Sequence, residues 1–525
     1  MSTRIAGNPH LDGIPLDSAK LNGLLAILSI GDTSPLARLD GHFAILAQHG
    51  ERSFAITDRE GSYPVFHCAN CGKFSLRFAC ECPDSARELT RGEIVQYMYS
   101  GVLPGGVTWQ KNVTSLGAAE IGWIEKGRLK RNTWWHPPGM TKGRRAESWD
   151  ELFGHLADKI HRFGKGKTLL LPISGGVDSR LIAALVKESG HEDVLAFSYG
   201  TADSSEMAWG RQSAKILGFR WEGIEYSEST WQGLFEDEEY LSFVDRWSSG
   251  VSPPHIQDFP ASQRLNEILG GLENTVLLPG FGPVEPDIQI SATERGGHAL
   301  TREQTLAKLI RHEMFLWNIW NPRWNGWKEL KQGLREDWLA DPMARKLGGH
   351  DYILHWYWKN RFSRYLMNSQ RNYERFGAQW LLPFCDERWL ENRLSLNLDD
   401  AWMRRGIVEA ASSYLHRFGI DLPFAGSAGR IFLPDFAEGF FEKHLPWLPV
   451  HVSRKMLARS KSGAAGDWMR WSVLLSPRAR KRVRFIGVPR FMSFMVLREI
   501  MERQAEDTQM MDLLDRISEG FSGDI

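Results

Sequence analysis

The chain is poor in cysteine, carries no excess charge of either sign and contains no long apolar run. Five cysteines in 525 residues are too few for a disulfide scaffold, so stability must come from buried apolar surface. Lys and Arg number 64, matched by 64 Asp and Glu. That balance argues against nucleic acid as a partner, which calls for a basic excess. The best membrane-span candidate, Phe485–Leu497, is interrupted by Arg490 and falls short of the ~20 apolar residues required. The opening MSTRIAGNPHLDG has no charged stretch followed by an apolar one, so no secretory leader is expected. These absences predict a soluble cytoplasmic protein with no transmembrane segment.

Aromatic residues, by contrast, are plentiful, with 22 Trp and 27 Phe. They suit cores, and a surplus can also line a cleft for sugars or other rings. At roughly 100–200 residues per domain, the length predicts two to four domains. Residues 1–140 read as β-rich. GHFAILAQ, RSFAITD, YPVFHCA, KFSLRFA and AEIGWIEKG are short apolar or aromatic runs between turn signals. His136-Pro137-Pro138-Gly139 then marks a linker. From Ser148, helix-length and strand-length patterns alternate. SWDELFGHLADKIHRF, TLLLPI, DSRLIAALVKESG, DVLAFSYG and EMAWGRQSAKILGF predict a parallel α/β sheet with helices. The stretch from about residue 300 reads as helical and Trp-rich. The linker and the change of pattern after it divide the chain at 1–140 and 141–525.

Cys68, Cys71, Cys80 and Cys82 form a cluster with zinc-like ligand chemistry. Their setting argues for unliganded thiols. PVFHCA and KFSLRFA read as a hairpin with Asn70-Cys71-Gly72 at its turn. Such a hairpin puts Cys71 about 20 Å from Cys80 and Cys82, at ~3.3 Å per strand residue.

The strongest signal is Ser174-Gly175-Gly176-Val177-Asp178-Ser179, between a predicted strand and a predicted helix. Two glycines allow close approach of the backbone and unusual dihedrals. The following helix start offers free N–H groups and a positive dipole end. Ser174 and Ser179 add hydroxyl donors, and Asp178 brings a carboxylate suited to a bridging Mg²⁺. The pattern fits a phosphate chain with its metal. Without a loop lysine it is no Walker A site.

This hexapeptide resembles the pyrophosphate loop of the N-type ATP pyrophosphatases, and the chain resembles the asparagine synthetase family in particular. Leu39-Asp40-Gly41-His42-Phe43 and Asp58-Arg59-Glu60-Gly61 through Phe66 look like that family's N-terminal glutaminase domain. Ser198-Tyr199-Gly200 looks like its adenine-side strand end. Leu277-Leu278-Pro279-Gly280-Phe281-Gly282 looks like its second nucleotide loop, and Leu382-Pro383-Phe384-Cys385-Asp386 like its Pro-Phe-Leu-Asp element. Leu448 through Lys455 looks like the segment carrying a catalytic lysine.

The resemblance implies an α/β synthetase domain with a helical C-terminal part, preceded by an α+β Ntn-hydrolase-like sandwich. It implies ATP and Mg²⁺ as cofactors. A carboxylate substrate would be adenylated with release of pyrophosphate, and ammonia or an amine would then form an amide. The nucleotide residues implied are Ser174, Gly175, Gly176, Asp178, Ser179, Ser198, Tyr199 and Gly280. Lys455, with Lys461 in reserve, would offset phosphate charge in the transition state.

Departures from the family narrow this reading. Met1 is followed by Ser2 where glutamine-dependent members place a nucleophilic Cys, and no Asn-Gly-Glu segment lies between Leu16 and Leu39. The first domain therefore reads as degenerate, with glutaminase activity not expected. Val284 stands where a metal-binding Asp is expected, which leaves Glu285 or Asp287 as substitutes beside Asp178. Leu381 and Leu382 replace the Arg expected before Pro-Phe.

Pro254-His255-Ile256-Gln257-Asp258, Asn368-Ser369 and Tyr373-Glu374 look like homologues from surface-polysaccharide gene clusters, which points to a sugar carboxylate as acceptor. Asparagine synthesis proper, a β-lactam or peptide-cyclising reaction, and a non-catalytic nucleotide-binding role remain open on these residues. So does the oligomeric state, a homodimer included. Arg478, Arg480, Lys481, Arg482 and Arg484 form a basic patch that reads most simply as a solvated face.

Overall fold

Apolar residues run almost unbroken along the N-terminal strand FAILAQH, and successive side chains point to opposite faces, so both faces of its sheet are buried. The computed structural model describes residues 3–78, 89–137, 147–232, 234, 237–247, 249–253, 255–283, 299–314, 326–396, 398–401 and 404–424. Its first part holds β1 (Arg4–Gly7), β2 (Phe43–His49), β3 (Arg52–Thr57), β4 (Phe66–Cys68), β5 (Lys73–Ser75), β6 (Val113–Ser115), β7 (Glu120–Glu125) and β8 (Arg128–Thr133). Three two-residue strands pair among themselves beside these. An antiparallel sheet runs in the order β1-β2-β3-β7-β8, and a smaller one in the order β5-β4-β6.

In β2, Phe43, Ile45 and Ala47 face one way, where they meet α1 (Ser18–Ser29) through its stripe Leu21, Leu24, Leu25 and Leu28. Ala44 and Leu46 face the other way and pack with Phe74 of β5. Period 2 on the strand and period 3.6 on the helix thus build a helix–sheet–sheet stack. The expected hairpin is present. Cys68 pairs with Lys73 across a turn, and Gly72 takes the left-handed backbone there. Cys71 is exposed near the tip while Cys68 is buried. Cys80 and Cys82 lie outside the described residues, so the zinc question stays with them.

The second part is α/β. Helix α3 (Trp149–Gly164), following α2 (Arg91–Ser100), starts where Ser148 caps the amide of Glu151. Then come β9 (Thr168–Pro172), α4 (Val177–Glu188), β10 (Val194–Gly200), α5 (Ser205–Leu217), β11 (Arg220–Glu225), β12 (Thr275–Leu277) and β13 (Gln379–Trp380). These strands form one parallel sheet in the order β11-β10-β9-β12-β13. Alternation again sorts the core. Leu169 and Leu171 join α3 and α4 on one face, and Leu170 joins Phe197, Phe259 and Tyr373 on the other.

The chain winds from β9 outward to β11 and then returns to the far side of β9 as β12. The strand order therefore reverses between β9 and β12. A crevice opens at the carboxyl ends of strands at such a point.

The helical stretch includes α6 (Arg302–Glu313), α7 (Gly326–Ala340) and α8 (Gly349–Trp356). Among the described residues, Trp338, Trp356, Trp358, Trp380 and Trp389 are buried. Trp338 stacks on Tyr352 at 3.6 Å between ring centroids, and Trp358 is fully buried. Core packing accounts for these described tryptophans.

The motif residues 58–62 contact the α/β part directly. The Trp358 indole donates to the Arg59 carbonyl (2.8 Å), and Arg59 pairs with Glu387 (3.0 Å). Arg371 donates to the Ser62 carbonyl (2.7 Å) and lies 4.5 Å over the Tyr63 ring. The Leu382 amide donates to His42 Nε2 (3.2 Å).

Candidate nucleotide site

The loop after β9 is shaped by its own side chains. The Ser174 amide donates to Ser179 Oγ (3.1 Å), the two hydroxyls lie 2.9 Å apart, and the Gly176 amide donates to Ser174 Oγ (3.2 Å). Gly176 is the N-cap of α4 in extended backbone (φ −72°, ψ 157°). Neither loop glycine takes a positive φ, which corrects the expectation of unusual dihedrals. Close approach is what the geometry requires of Gly280. A Cβ there would stand 2.9 Å from the carbonyl carbon of Asp178 and 2.9 Å from the Ser179 nitrogen.

Beneath the loop, Arg180 is fully buried. It donates to the carbonyls of Ser174 (3.4 Å), Leu422 (3.0 Å) and Pro423 (3.1 Å). Its charge serves backbone carbonyls, which ties the loop to the segment that follows the helix Arg405–His416.

A cavity of about 1050 Å³ opens at this point, between the ends of β9, β10 and β12. Ser174, Gly176, Asp178, Ser179, Ser198, Tyr199 and Gly280 line it, so the structure gathers these predicted residues in one place. Gly175, within the same loop, donates its amide to Glu206 Oε2 at 2.7 Å. Glu206 stands in the first turn of α5. Asp178 is also engaged, because Arg404 holds its carboxylate through both terminal nitrogens, one of them at 2.7 Å. Arg404 caps α11 (Arg405–His416), which follows α9 (Arg371–Glu374) and α10 (Glu387–Ser395).

Ser198 Oγ donates to the Ile173 carbonyl (2.6 Å) and accepts from the Trp221 indole (3.2 Å). That hydroxyl serves the sheet end rather than standing open. Tyr199 stacks on Tyr226 (5.3 Å, 15°), and its hydroxyl donates to Asp258 Oδ1 (3.0 Å). The Tyr373 hydroxyl donates to the same oxygen (3.0 Å), and His255 Nδ1 lies 2.8 Å from Asp258 Oδ2. Burial pushes all three phenols, Tyr199, Tyr226 and Tyr373, well above the ordinary tyrosine pKa, and the Asp258 charge adds to the effect. They remain neutral donors. Gln370 is fully buried at the cavity wall, and its Oε1 has no hydrogen-bond partner among the described residues.

Magnesium can be accommodated through Asp178. This ion uses one or two carboxylates together with substrate phosphates, and Asp178 is a loop carboxylate facing the cavity. Val284, Glu285 and Asp287 lie outside the described residues, as do Lys455, Lys461 and the basic patch 478–484.

His42, Asp58 and Glu60 form another cluster, with candidate ligand atoms all within 4.8 Å of one another. Hydrogen bonding holds two of its members, His42 and Asp58. His42 Nε2 accepts from Leu382, so Nδ1 carries the proton and faces Ser62 Oγ at 3.2 Å. The Asp58 carboxylate accepts the amides of Phe43, Glu60 and Ser62. Desolvation, helped by the Lys159 charge, pushes His42 down to about 3, and burial pushes Asp58 up to about 6.

Sequence reasoning missed Glu206, Arg180 and Arg404 as members of the loop's surroundings. Arg404 lies 226 positions from Asp178, and no spacing signal joins them.

Residues 166–249 match the family model for asparagine synthase. No curated protein shows significant similarity to the chain. Among solved structures, it is similar to an ammonia-dependent NAD synthetase from Campylobacter jejuni. Identity there is 18%, over 27% of this chain and 60% of that one, with a TM-score of 0.21. A glutamine-dependent NAD+ synthetase from Acinetobacter baumannii follows at 16% identity, over 39% and 44%, with a TM-score of 0.20. An NAD+ synthetase from Burkholderia pseudomallei shows 12% identity, over 52% and 89%, with a TM-score of 0.18. The chain spans less than two thirds of the length of the first two, and overlaps this loose carry no weight for fold or function. The family match covers β9, the phosphate-type loop, α4, β10, α5 and β11. Through this segment the chain is similar to asparagine synthase.

Proposed function

We propose that the chain is an AMP-forming carbon–nitrogen ligase. The observation that carries this reading is the Ser174–Ser179 loop, set at the sheet's switch point and opening on a cavity of about 1050 Å³. A carboxylate oxygen of the acceptor attacks the α-phosphorus of ATP. The bond from that phosphorus to the β-phosphate bridge breaks, and pyrophosphate leaves with its electron pair. An amine or ammonia nitrogen then attacks the acyl carbon, loses a proton, and AMP departs.

The loop hydroxyls and the start of α4 hold the pyrophosphate by hydrogen bonding and the helix dipole. Asp178, with Glu285 as the second carboxylate, would hold Mg²⁺, which would supply positive charge against the phosphates. Lys455, with Lys461 in reserve, stabilises the charge developing on the phosphates. Residues 1–140 act as a degenerate glutaminase-like domain, and 141–525 as the synthetase domain.

For the acceptor we favour a sugar carboxylate over aspartate. Gln370 Oε1 at the cavity wall awaits a donor, and a hydroxyl-rich acid supplies donors. The test is AMP and pyrophosphate release from Mg-ATP across aspartate, uronic acids and nucleotide-linked uronic acids, each with ammonia or glutamine. Turnover with a uronic acid and ammonia, but not with glutamine, is the expected result. Turnover with aspartate alone contradicts the acceptor assignment, and ADP with phosphate contradicts the adenylation chemistry.

A further inference from the structure

The described lining of the nucleotide cavity includes the carboxylates Asp178, Asp203, Glu206 and Asp258, and no Lys or Arg. Such a wall repels a polyphosphate. A single magnesium ion would leave much of that repulsion in place. A guanidinium nevertheless reaches the loop, because Arg404 forks onto both oxygens of Asp178. The same planar fork matches two phosphate oxygens as well as two carboxylate oxygens.

The loop's opposite side mirrors this arrangement. The Gly175 amide already binds an anionic oxygen, that of Glu206. One side of the loop thus receives an anion and the other a cation, the two kinds of partner that a magnesium–phosphate complex supplies together.

The backbone keeps Arg404 in place. It adopts the left-handed conformation (φ 60°, ψ 28°) at the start of α11, a strained choice for a residue with a Cβ. Helix α11 packs on α4 through Ile407, Ala411 and Tyr414. The helix that carries Arg404 is therefore fixed against the helix that carries Asp178, and only the side chain need move.

We propose that Arg404 is a phosphate-binding residue of this pocket: its guanidinium passes from Asp178 to the nucleotide's phosphates while magnesium takes Asp178. The proposal rests on the nucleotide reading above. It would supply the cationic contact that the described cavity wall lacks.

Calorimetric titration of the full chain with Mg-ATP and with adenosine tests it, using wild type, Arg404→Lys, Arg404→Met and Asp178→Asn. The expected result is that Arg404→Met binds Mg-ATP at least about tenfold more weakly, with adenosine binding unchanged. Arg404→Lys, which keeps the charge and loses the fork, falls in between. In EDTA, metal-free ATP binds Asp178→Asn more tightly than wild type, because the competing carboxylate has gone. Thermal melting of Arg404→Lys checks that the fold persists. Equal or tighter Mg-ATP binding by Arg404→Met would overturn the proposal and leave Arg404 as a block on Asp178. Failure of wild type to bind either ATP or adenosine would overturn the nucleotide reading and the proposal together.

Discussion

Gly280 lies against the backbone of Asp178 and Ser179 so closely that a Cβ on it would stand 2.9 Å from both the Asp178 carbonyl carbon and the Ser179 nitrogen. The contact is backbone on backbone, which a rotamer change cannot relieve. It sets the second loop directly onto the first turn of α4. Gly280→Ala should therefore displace the phosphate loop and weaken Mg-ATP binding by about tenfold or more. Circular dichroism should stay native, since both loops lie at strand ends. Calorimetry reads the affinity, and unchanged binding would show that the loop does not hold the triphosphate.

Arg180 is expected to matter for stability more than for chemistry. Its guanidinium is fully buried and satisfies three carbonyls, those of Ser174, Leu422 and Pro423. Arg180→Met leaves them without that donor. The expected loss is about 2–4 kcal/mol, the scale for breaking a buried charged hydrogen-bond set. Denaturant unfolding measures it, and a loss under about 0.5 kcal/mol would contradict the anchoring role.

Asp258 collects two phenols on one oxygen. Tyr199→Phe and Tyr373→Phe should each cost about 1–2 kcal/mol. Because both hydroxyls donate to Asp258 Oδ1, the double variant should depart from the sum of the singles. A double-mutant cycle reads that coupling, and strict additivity would mean the two hydrogen bonds are independent.

His42 makes stability depend on pH. Its folded pKa lies near 3, against an ordinary 6.5, so the fold keeps it neutral. An unfolded chain takes up a proton there below pH 6.5. The stability it contributes is present above pH 6.5 and is lost as pH falls from 6.5 towards 3. At pH 4.5 the loss is about 3 kcal/mol, from ~1.4 kcal/mol per pH unit. Asp58, raised to about 6, acts in the opposite sense, since its contribution is present below pH 3.8 and lost as pH rises through 6. His42→Gln isolates the histidine part and should flatten the acid side of the stability curve relative to wild type. Parallel curves for the two proteins would refute it.

Much of this architecture was legible because local pattern and global fold agree. Short apolar runs between turn signals, FAILAQH and RSFAIT, gave strands of the first sheet, and the Ser148 cap gave the start of α3. The hexapeptide 174–179 identified the loop because its residues do chemistry where they stand. What stayed hidden depends on tertiary approach. RWEGIE lacks a strong strand signal, yet it forms edge strand β11 because β10 offers it a partner. The fork between Arg404 and Asp178 arises from α11 packing on α4, and the Glu206 contact with Gly175 arises from α5 crossing beside the loop. His42 read as part of a family motif. Its role as an interface acceptor for Leu382 depends on how the two sheets are juxtaposed.

The most direct test of the central claim is product analysis. The pure protein is incubated with Mg-ATP, ammonia and the panel of acids, and the nucleotide products are separated. The account predicts AMP and pyrophosphate in equal amounts with at least one acid, and their loss in Asp178→Ala. Formation of ADP and phosphate, or AMP release that survives Asp178→Ala, would contradict it.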